Sequence, residues 1–541
     1  MNADPGCEDR FSQSPMPIAN PYIRRWFSEP LLLLALAAGL IAFAVQSGEL
    51  GTSDAQHRLQ TAHSWWTSEP AVLPDEYPDF GVRGRGGRLQ SFYGIGQSLL
   101  MFPADVIGTY AAKLPVFAGY DGNDPSVTDI VVSYSTNILL NVLTALVCFR
   151  FLRQLNFGIK QAVAGVLALL LLTTHLHYTQ NMQENNYIFL LTLTGFSYQY
   201  EWLLNGSRRA LIIGSGALGL NLLTRITTGM DLLAGSLFIL LVLWLEGSRG
   251  RALWQRVGSY VTIAFPVFAF FGFLDRLYQF YRFGSFFSTY AGLTAMEMRQ
   301  RDPSLPAGFP FTTPFHVGFL GALFAREKSV FLFDPLLILG ILLAAVAWRR
   351  FSPAVKAYTI TGAALLLAYI AFYARYFAWA GDWAWGDRYV STSAELAALL
   401  AVPLLVRFRF QVAKPVWILG IALVAISAVV QASSLAFWLS LEEYQVESVG
   451  HPSWVIALRC KNIFAFATGK MEAWGLSNPA MTDDAWDYQH MTCWNFLPFL
   501  LKRVGEAPMW AVRIVFAVWT LGLAALGWTL WRLRLVLARL Y

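Results

Sequence analysis

The sequence is short of charge. Asp, Glu, Lys and Arg make up 14% of its 541 residues, against roughly 25% in an ordinary soluble protein. That deficit excludes intrinsic disorder and coiled coil, and it leaves too few polar side chains to cover several soluble domains. Cysteine is scarce too. Cys7, Cys148, Cys460 and Cys493 show no Cys-x-x-Cys spacing, so a disulfide scaffold and a zinc or redox motif are excluded as organising features. What abounds is apolar: hydrophobic residues reach 56%, with 20 Trp and 40 Phe. This is the composition of an all-α polytopic membrane protein. The net charge of +6 fits Lys and Arg held in cytoplasmic loops and gives no reason to expect nucleic acid as a partner.

Apolar runs of spanning length, about 20 residues, lie at 31–45, 128–149, 161–177, 186–204, 209–225, 228–246, 255–275, 329–348, 355–374, 389–406, 415–438 and 509–531. They predict about 12 transmembrane helices. Basic residues fall in alternate loops: Arg24 and Arg25, then Arg150, Arg153 and Lys160, and so on to Arg532, Arg534 and Arg539. The positive-inside rule therefore puts both termini in the cytoplasm of a multi-pass protein of the bacterial cytoplasmic membrane. Residues 1–29 form a polar cytoplasmic tail, 30–438 a transmembrane module, 439–508 an outer loop, and 509–541 the last span with its basic end. Further outer loops lie at 48–127, 276–328 and 375–388, with interfacial helices expected at 55–66 and 99–114. Cys460 and Cys493 share the last outer loop, where a disulfide between them is one expectation.

Trp, Tyr, Gly, Pro and most of the acids gather in these outer loops, where a rigid scaffold places binding and catalytic groups. Asp54 follows the first span at the membrane–water boundary, placed to take a proton from a hydroxyl or to hold a metal ion; capping of helix 55–66 by Ser53 or Asp54 is the structural alternative. Asp75, Glu76 and Asp79 precede Arg83, Arg85 and Arg88 among glycines, a pattern suited to phosphate or to a solvated loop. Arg282 lies in an aromatic belt. Residues 378–389 pack Trp379, Asp382, Trp383, Trp385, Asp387, Arg388 and Tyr389 between two spans. Arg388 there opposes the dipole of the helix it opens, so an anionic partner is implied: a bound phosphate, or Asp387 or Asp382. Glu184, Arg225 and Asp231 sit at membrane depth and need partners; pairing of Arg225 with Asp231 would make both structural.

In order along the chain, Thr52-Ser53-Asp54, Tyr93-Gly94-Ile95-Gly96-Gln97-Ser98, Leu223-Thr224-Arg225, Tyr281-Arg282-Phe283-Gly284-Ser285, Phe333-Asp334-Pro335 and Trp385-Gly386-Asp387-Arg388-Tyr389 resemble the motifs of the GT-C superfamily of polytopic glycosyltransferases, in its bacterial mannosyltransferase-like branch. The chain departs from the family pattern twice. Ala55 follows Asp54 where an acidic pair is usual, and Asp387 replaces a proline. The resemblance implies a GT-C-like fold and transfer of a sugar, with inversion, from a polyprenyl-phosphate donor to a glycan, lipid or protein acceptor at the outer membrane face. It implies Asp54 as base and Arg388, Arg282, Arg225 and Arg88 as ligands of the donor phosphate. His57, Glu76, Asp79, Tyr93, Gln97, Glu184, Asp382, Trp383, Trp385 and Tyr389 complete the substrate-binding set, and a divalent metal ion stays open as cofactor. The rival classes are a lipid or solute transporter or flippase, and a polysaccharide polymerase or ligase using diphosphate-linked oligosaccharides.

Overall fold

The computed structural model describes residues 29–77, 79–118, 120, 125–470, 489–505 and 507–540. The N-terminal tail with Arg24, Arg25 and Cys7, and stretch 471–488 of the last outer loop, lie outside them. The described chain is helical apart from one short hairpin. Helix α1 (Glu29–Val45) buries Leu34, Ala38, Ile41 and Val45, one stripe at helical spacing, and leaves Leu32 and Leu36 outside. It packs between α4 (Val127–Gln154) and the last helix (Met509–Ala538). Helices α2 (Ser53–His63) and α3 (Ile95–Ala112) pack on each other, with α3 lying on α4. Inside this layer Asp105 accepts hydrogen bonds from His63 Nδ1 at 3.0 Å and Trp66 Nε1 at 2.7 Å.

Among the described residues, six helices are long and apolar enough to cross a bilayer: α4, the unit Ile226–Leu245, Gly250–Phe283, Pro353–Tyr373, Lys414–Ser434 and Met509–Ala538. The other six expected runs are helical but short, more polar or interrupted. The run 161–177 divides into α5 (Ile159–Leu172) and α6 (His175–Gln180) at Thr173, whose backbone is extended. The run 329–348 divides at Asp334-Pro335, where proline cannot continue a helix. The run 389–406 divides at Leu399-Leu400. Two of these interrupted stretches meet the third at Thr174: its amide donates to Asp334 Oδ1 at 2.9 Å, and its hydroxyl lies 3.0 Å from Asp334 Oδ2 and 2.9 Å from Glu395 Oε1. Buried polar groups require such partners where no water enters, so the interruptions are fastened to one another.

The segment after residue 438 is tied to the loop that follows α1. Leu497 N donates to Gln46 O at 3.0 Å, and the Gln180 side-chain amide reaches Val45 O at 2.9 Å and Asn495 O at 2.6 Å. Within this segment Arg459 forms a bidentate pair with Glu442, Nε to Oε1 at 2.7 Å and Nη2 to Oε2 at 2.6 Å, and both side chains are fully buried. The expected disulfide is not formed: Cys460 is exposed, Cys493 is buried, and both are free thiols. Removing one member of a buried pair strands the other charge, at a cost of about 3–5 kcal/mol. Arg459→Leu is therefore expected to lower the melting temperature in detergent strongly; a melt like wild type would show that the pair does not hold the outer segment.

Candidate active site

Asp54 is placed by a tight return of the chain. After α1 the loop carries Gly51 at φ 76°, and a Cβ there would collide with Asn181, so only glycine allows this approach. Thr52, extended, then caps α2 by accepting from Ala55 N at 3.2 Å. The cap is thus Thr52 and not Ser53 or Asp54. Asp54 sits in the first turn of α2, where the helix dipole favours negative charge.

Arg388 is placed by a curled loop. Gly381 (φ 73°), Asp382 (φ 54°) and Gly386 (φ 71°) take left-handed conformations; for Asp382 this is strain of the kind that collects at functional sites. Lys328 holds the curl from behind, its Nζ donating to Asp382 O at 2.5 Å, Ala384 O at 2.9 Å and Gly386 O at 3.1 Å. Burial pulls the Lys328 amine down to about 8 against the opposing pull of Asp387 and Asp382. Asp387 closes the turn that leads into the next helix: its carboxylate accepts from Tyr389 N at 3.0 Å and its carbonyl from Ser391 N at 3.0 Å. Burial raises its carboxyl to about 7.

The two charges meet. Arg388 Nη1 donates to Asp54 Oδ2 at 2.8 Å, Arg388 Nη2 to Asp382 Oδ2 at 3.0 Å, and Tyr93 OH to Asp54 Oδ1 at 2.6 Å. The Asp54 and Arg388 side chains remain 17% and 16% exposed, so a ligand can reach both. One turn beyond Asp54, Arg58 lies over the Tyr93 ring at 4.3 Å and pairs with Glu184 at 2.8 Å. Arg225 pairs with the same carboxylate. Burial alone would raise the Glu184 carboxyl, but Arg225, Arg58 and Arg388 together hold it well below the usual carboxylate range. Asp231 is thus not the partner of Arg225; it accepts from Tyr369 OH at 2.9 Å.

Beside the Asp54–Arg388 contact opens a cavity of about 460 Å³, within the roughly 300–1,000 Å³ range of small-molecule sites. Asp54, Arg388, Asp382 and Trp383 line one side; Glu49, Trp438, Glu443 and His490 line another. Tyr389 stands behind Arg388, stacked on Tyr373 at 4.5 Å and 5.5 Å below the Arg225 guanidinium. His57 stacks on Phe80 at 4.0 Å and lies 3.5 Å from Glu76, with burial lowering its pKa.

Other expected ligands face elsewhere. Arg282 is buried and donates to Ser91 O at 2.6 Å, Tyr93 O at 3.0 Å and Gln279 Oε1 at 2.9 Å; it positions the Tyr93 segment and offers no face to a phosphate. Trp385 is fully buried against Phe333 at 5.1 Å, so neither face is open to a sugar. Gln97 is buried and donates to Met182 O at 3.2 Å. Arg88 is exposed beside the hairpin of β1 (Gly81–Arg83) and β2 (Leu89–Ser91), and neither it nor exposed Asp79 lines the cavity. Sequence reasoning passed over Arg58, although its i+4 spacing from Asp54 puts both on one helix face. It also passed over Lys328 and the residues of the last outer loop, for which spacing carries no signal. Among the described residues no three His, Cys, Asp or Glu side chains are grouped to hold a metal ion. Lys328→Met strands three carbonyl oxygens, at about 1–3 kcal/mol for each one left buried and unsatisfied, and is expected to lower the melting temperature in detergent. A melt like wild type would show that the curl holds without Lys328.

No protein-family model matches the chain, and none of the curated proteins matches it. Among solved structures it is similar to the crystal structure of ArnT from Cupriavidus metallidurans bound to undecaprenyl phosphate, at 14% identity over 88% of this chain and 76% of that one, with a TM-score of 0.39.

Proposed function

We propose that this protein is a membrane glycosyltransferase that moves a sugar from a polyprenyl-phosphate donor to an acceptor hydroxyl at the outer face of the cytoplasmic membrane. The observation that carries the reading is the 2.8 Å contact between Asp54 and Arg388 at the mouth of a sugar-sized cavity. Asp54 accepts the proton of the acceptor hydroxyl, and the freed oxygen forms a bond to the anomeric carbon. The bond from that carbon to the phosphate oxygen breaks, and its electron pair leaves on the phosphate. Arg388, with Arg58 and Arg225 behind it, stabilises the departing charge. A phosphate needs no proton to leave, so one base suffices, and a single displacement inverts the anomeric centre.

The resting site supports this order of events. Arg58, Arg225 and Arg388 are matched by Asp54, Glu184 and Asp382. An arriving phosphate draws Arg388 toward itself and frees Asp54 to take the proton. Tyr93 keeps the carboxylate aimed through its 2.6 Å hydrogen bond. The transporter reading draws on the three interrupted helices, a feature of transporter sites; against it, Thr174, Asp334 and Glu395 are buried and bonded to one another, and the cavity lies beside the outer loops.

General-base catalysis contributes roughly 10²–10⁴-fold. Asp54→Asn is expected to lose that factor in sugar transfer to an acceptor while melting like wild type, and unchanged transfer would remove Asp54 from its role. The positive-inside threading puts exposed Cys460 outside. A membrane-impermeant maleimide should therefore label Cys460 in intact cells; labelling only after lysis would place the site on the cytoplasmic face.

A further inference from the structure

The far wall of the cavity comes from the last outer segment, which the transfer step does not use. His490 Nε2 lies 2.8 Å from Glu49 Oε1, joining this segment to the loop that carries Asp54. The Trp438 indole stacks on His490 with ring centroids 4.2 Å apart and planes 22° from parallel, and it lines the cavity. Glu443 stands in the first turn of the helix Ser440–Glu447, half-buried at the cavity wall. That helix is held by the buried Glu442–Arg459 pair and by Trp383 Nε1, which donates to Glu447 at 3.2 Å.

The charge of this wall is one-sided. Glu49, Asp54, Asp382 and Glu443 line the cavity, and Arg388, the guanidinium among the lining residues, is already engaged by Asp54 and Asp382. Burial, then the nearby Glu447 and Asp382 carboxylates, push the Glu443 carboxyl above its ordinary value. The arginines that suit a phosphate, Arg58 and Arg225, do not line the cavity. A flat indole beside carboxylate acceptors suits a ring with hydroxyl donors, whereas an anion at this wall would meet the Glu443 carboxylate, which Arg388, held by Asp54 and Asp382, does not engage.

We propose that Trp438, Glu443 and the Glu49–His490 pair form the acceptor subsite, and that it selects a sugar ring carrying no negative charge. This rests on the transferase reading for the word acceptor, but the sugar site itself stands on the cavity. The last outer segment, together with Trp438 at its entry, is then the specificity element, Trp438 holding the ring so that a hydroxyl faces Asp54.

The test is saturation-transfer NMR on the full-length protein in detergent, with methyl glucoside and methyl glucuronide as probes. The neutral glycoside should receive saturation, with the glucuronide weaker by about tenfold or more. Trp438→Ala should weaken the neutral probe by about tenfold, and Trp438→Phe should retain most of the binding. Glu443→Lys should bring the glucuronide up to the level of the neutral probe, a gain that misfolding cannot produce. Equal binding of both probes to the wild type, or no change of preference in Glu443→Lys, overturns the subsite and leaves transfer by Asp54 standing. Selective binding by a chain that transfers no sugar to any acceptor upholds the subsite and overturns the transferase reading.

Discussion

The site depends on one electrostatic constraint: a guanidinium and a carboxylate, 334 residues apart in the chain, share a hydrogen bond. Each charge is partly desolvated and is met by the other, with Asp382 as a second partner of the guanidinium. Each is therefore delivered by its own device. A threonine cap and a glycine-bearing return present Asp54; a left-handed loop pinned by Lys328 presents Arg388. Arg58, Glu184 and Arg225 extend the pair into a cluster in which three guanidiniums face three carboxylates. Such a cluster is neutral at rest and is perturbed by the arrival of one further anion.

The bundle makes this cluster rigid. Two of three interrupted helices reach the third at Thr174, so the polar groups exposed by each interruption find partners among the others. Tyr178 OH, in α6, donates to Trp385 O at 3.2 Å, which links the polar junction to the loop that carries Arg388. The interruptions, unexpected from apolar runs, thereby serve as supports for the site.

Much of the site was legible in the sequence because charge at a membrane boundary is rare and therefore informative. Asp54, Glu184, Arg225 and Arg388 stood out by position, and the structure brings all four into one cluster. What sequence could not supply is direction. Arg282 and Trp385 lie within site-forming segments but point into protein, one toward backbone carbonyls and the other into an apolar cluster. The helix break at Thr173 was illegible because apolar residues run up to it without a glycine or proline; the break at Leu399 lies four residues before Pro403, which has no N–H for the Leu399 carbonyl, and both Pro403 and Pro335 were legible but outweighed by the surrounding leucines. The contribution of Glu49, Trp438, Glu443 and His490 depends on the last outer segment folding back over the first, a long-range contact that no local pattern announces.

The central claim is that Arg388 divides its charge between Asp54 and a donor phosphate, and lipid binding tests it most directly. Binding of undecaprenyl phosphate to wild type, Asp54→Asn and Arg388→Gln should be measured in detergent under identical conditions. Arg388→Gln should weaken binding by about tenfold or more, the loss of one charge-assisted contact, whereas Asp54→Asn, which releases the guanidinium, should bind at least as tightly as wild type. Wild-type affinity in Arg388→Gln, or weakened binding in Asp54→Asn, would contradict the account.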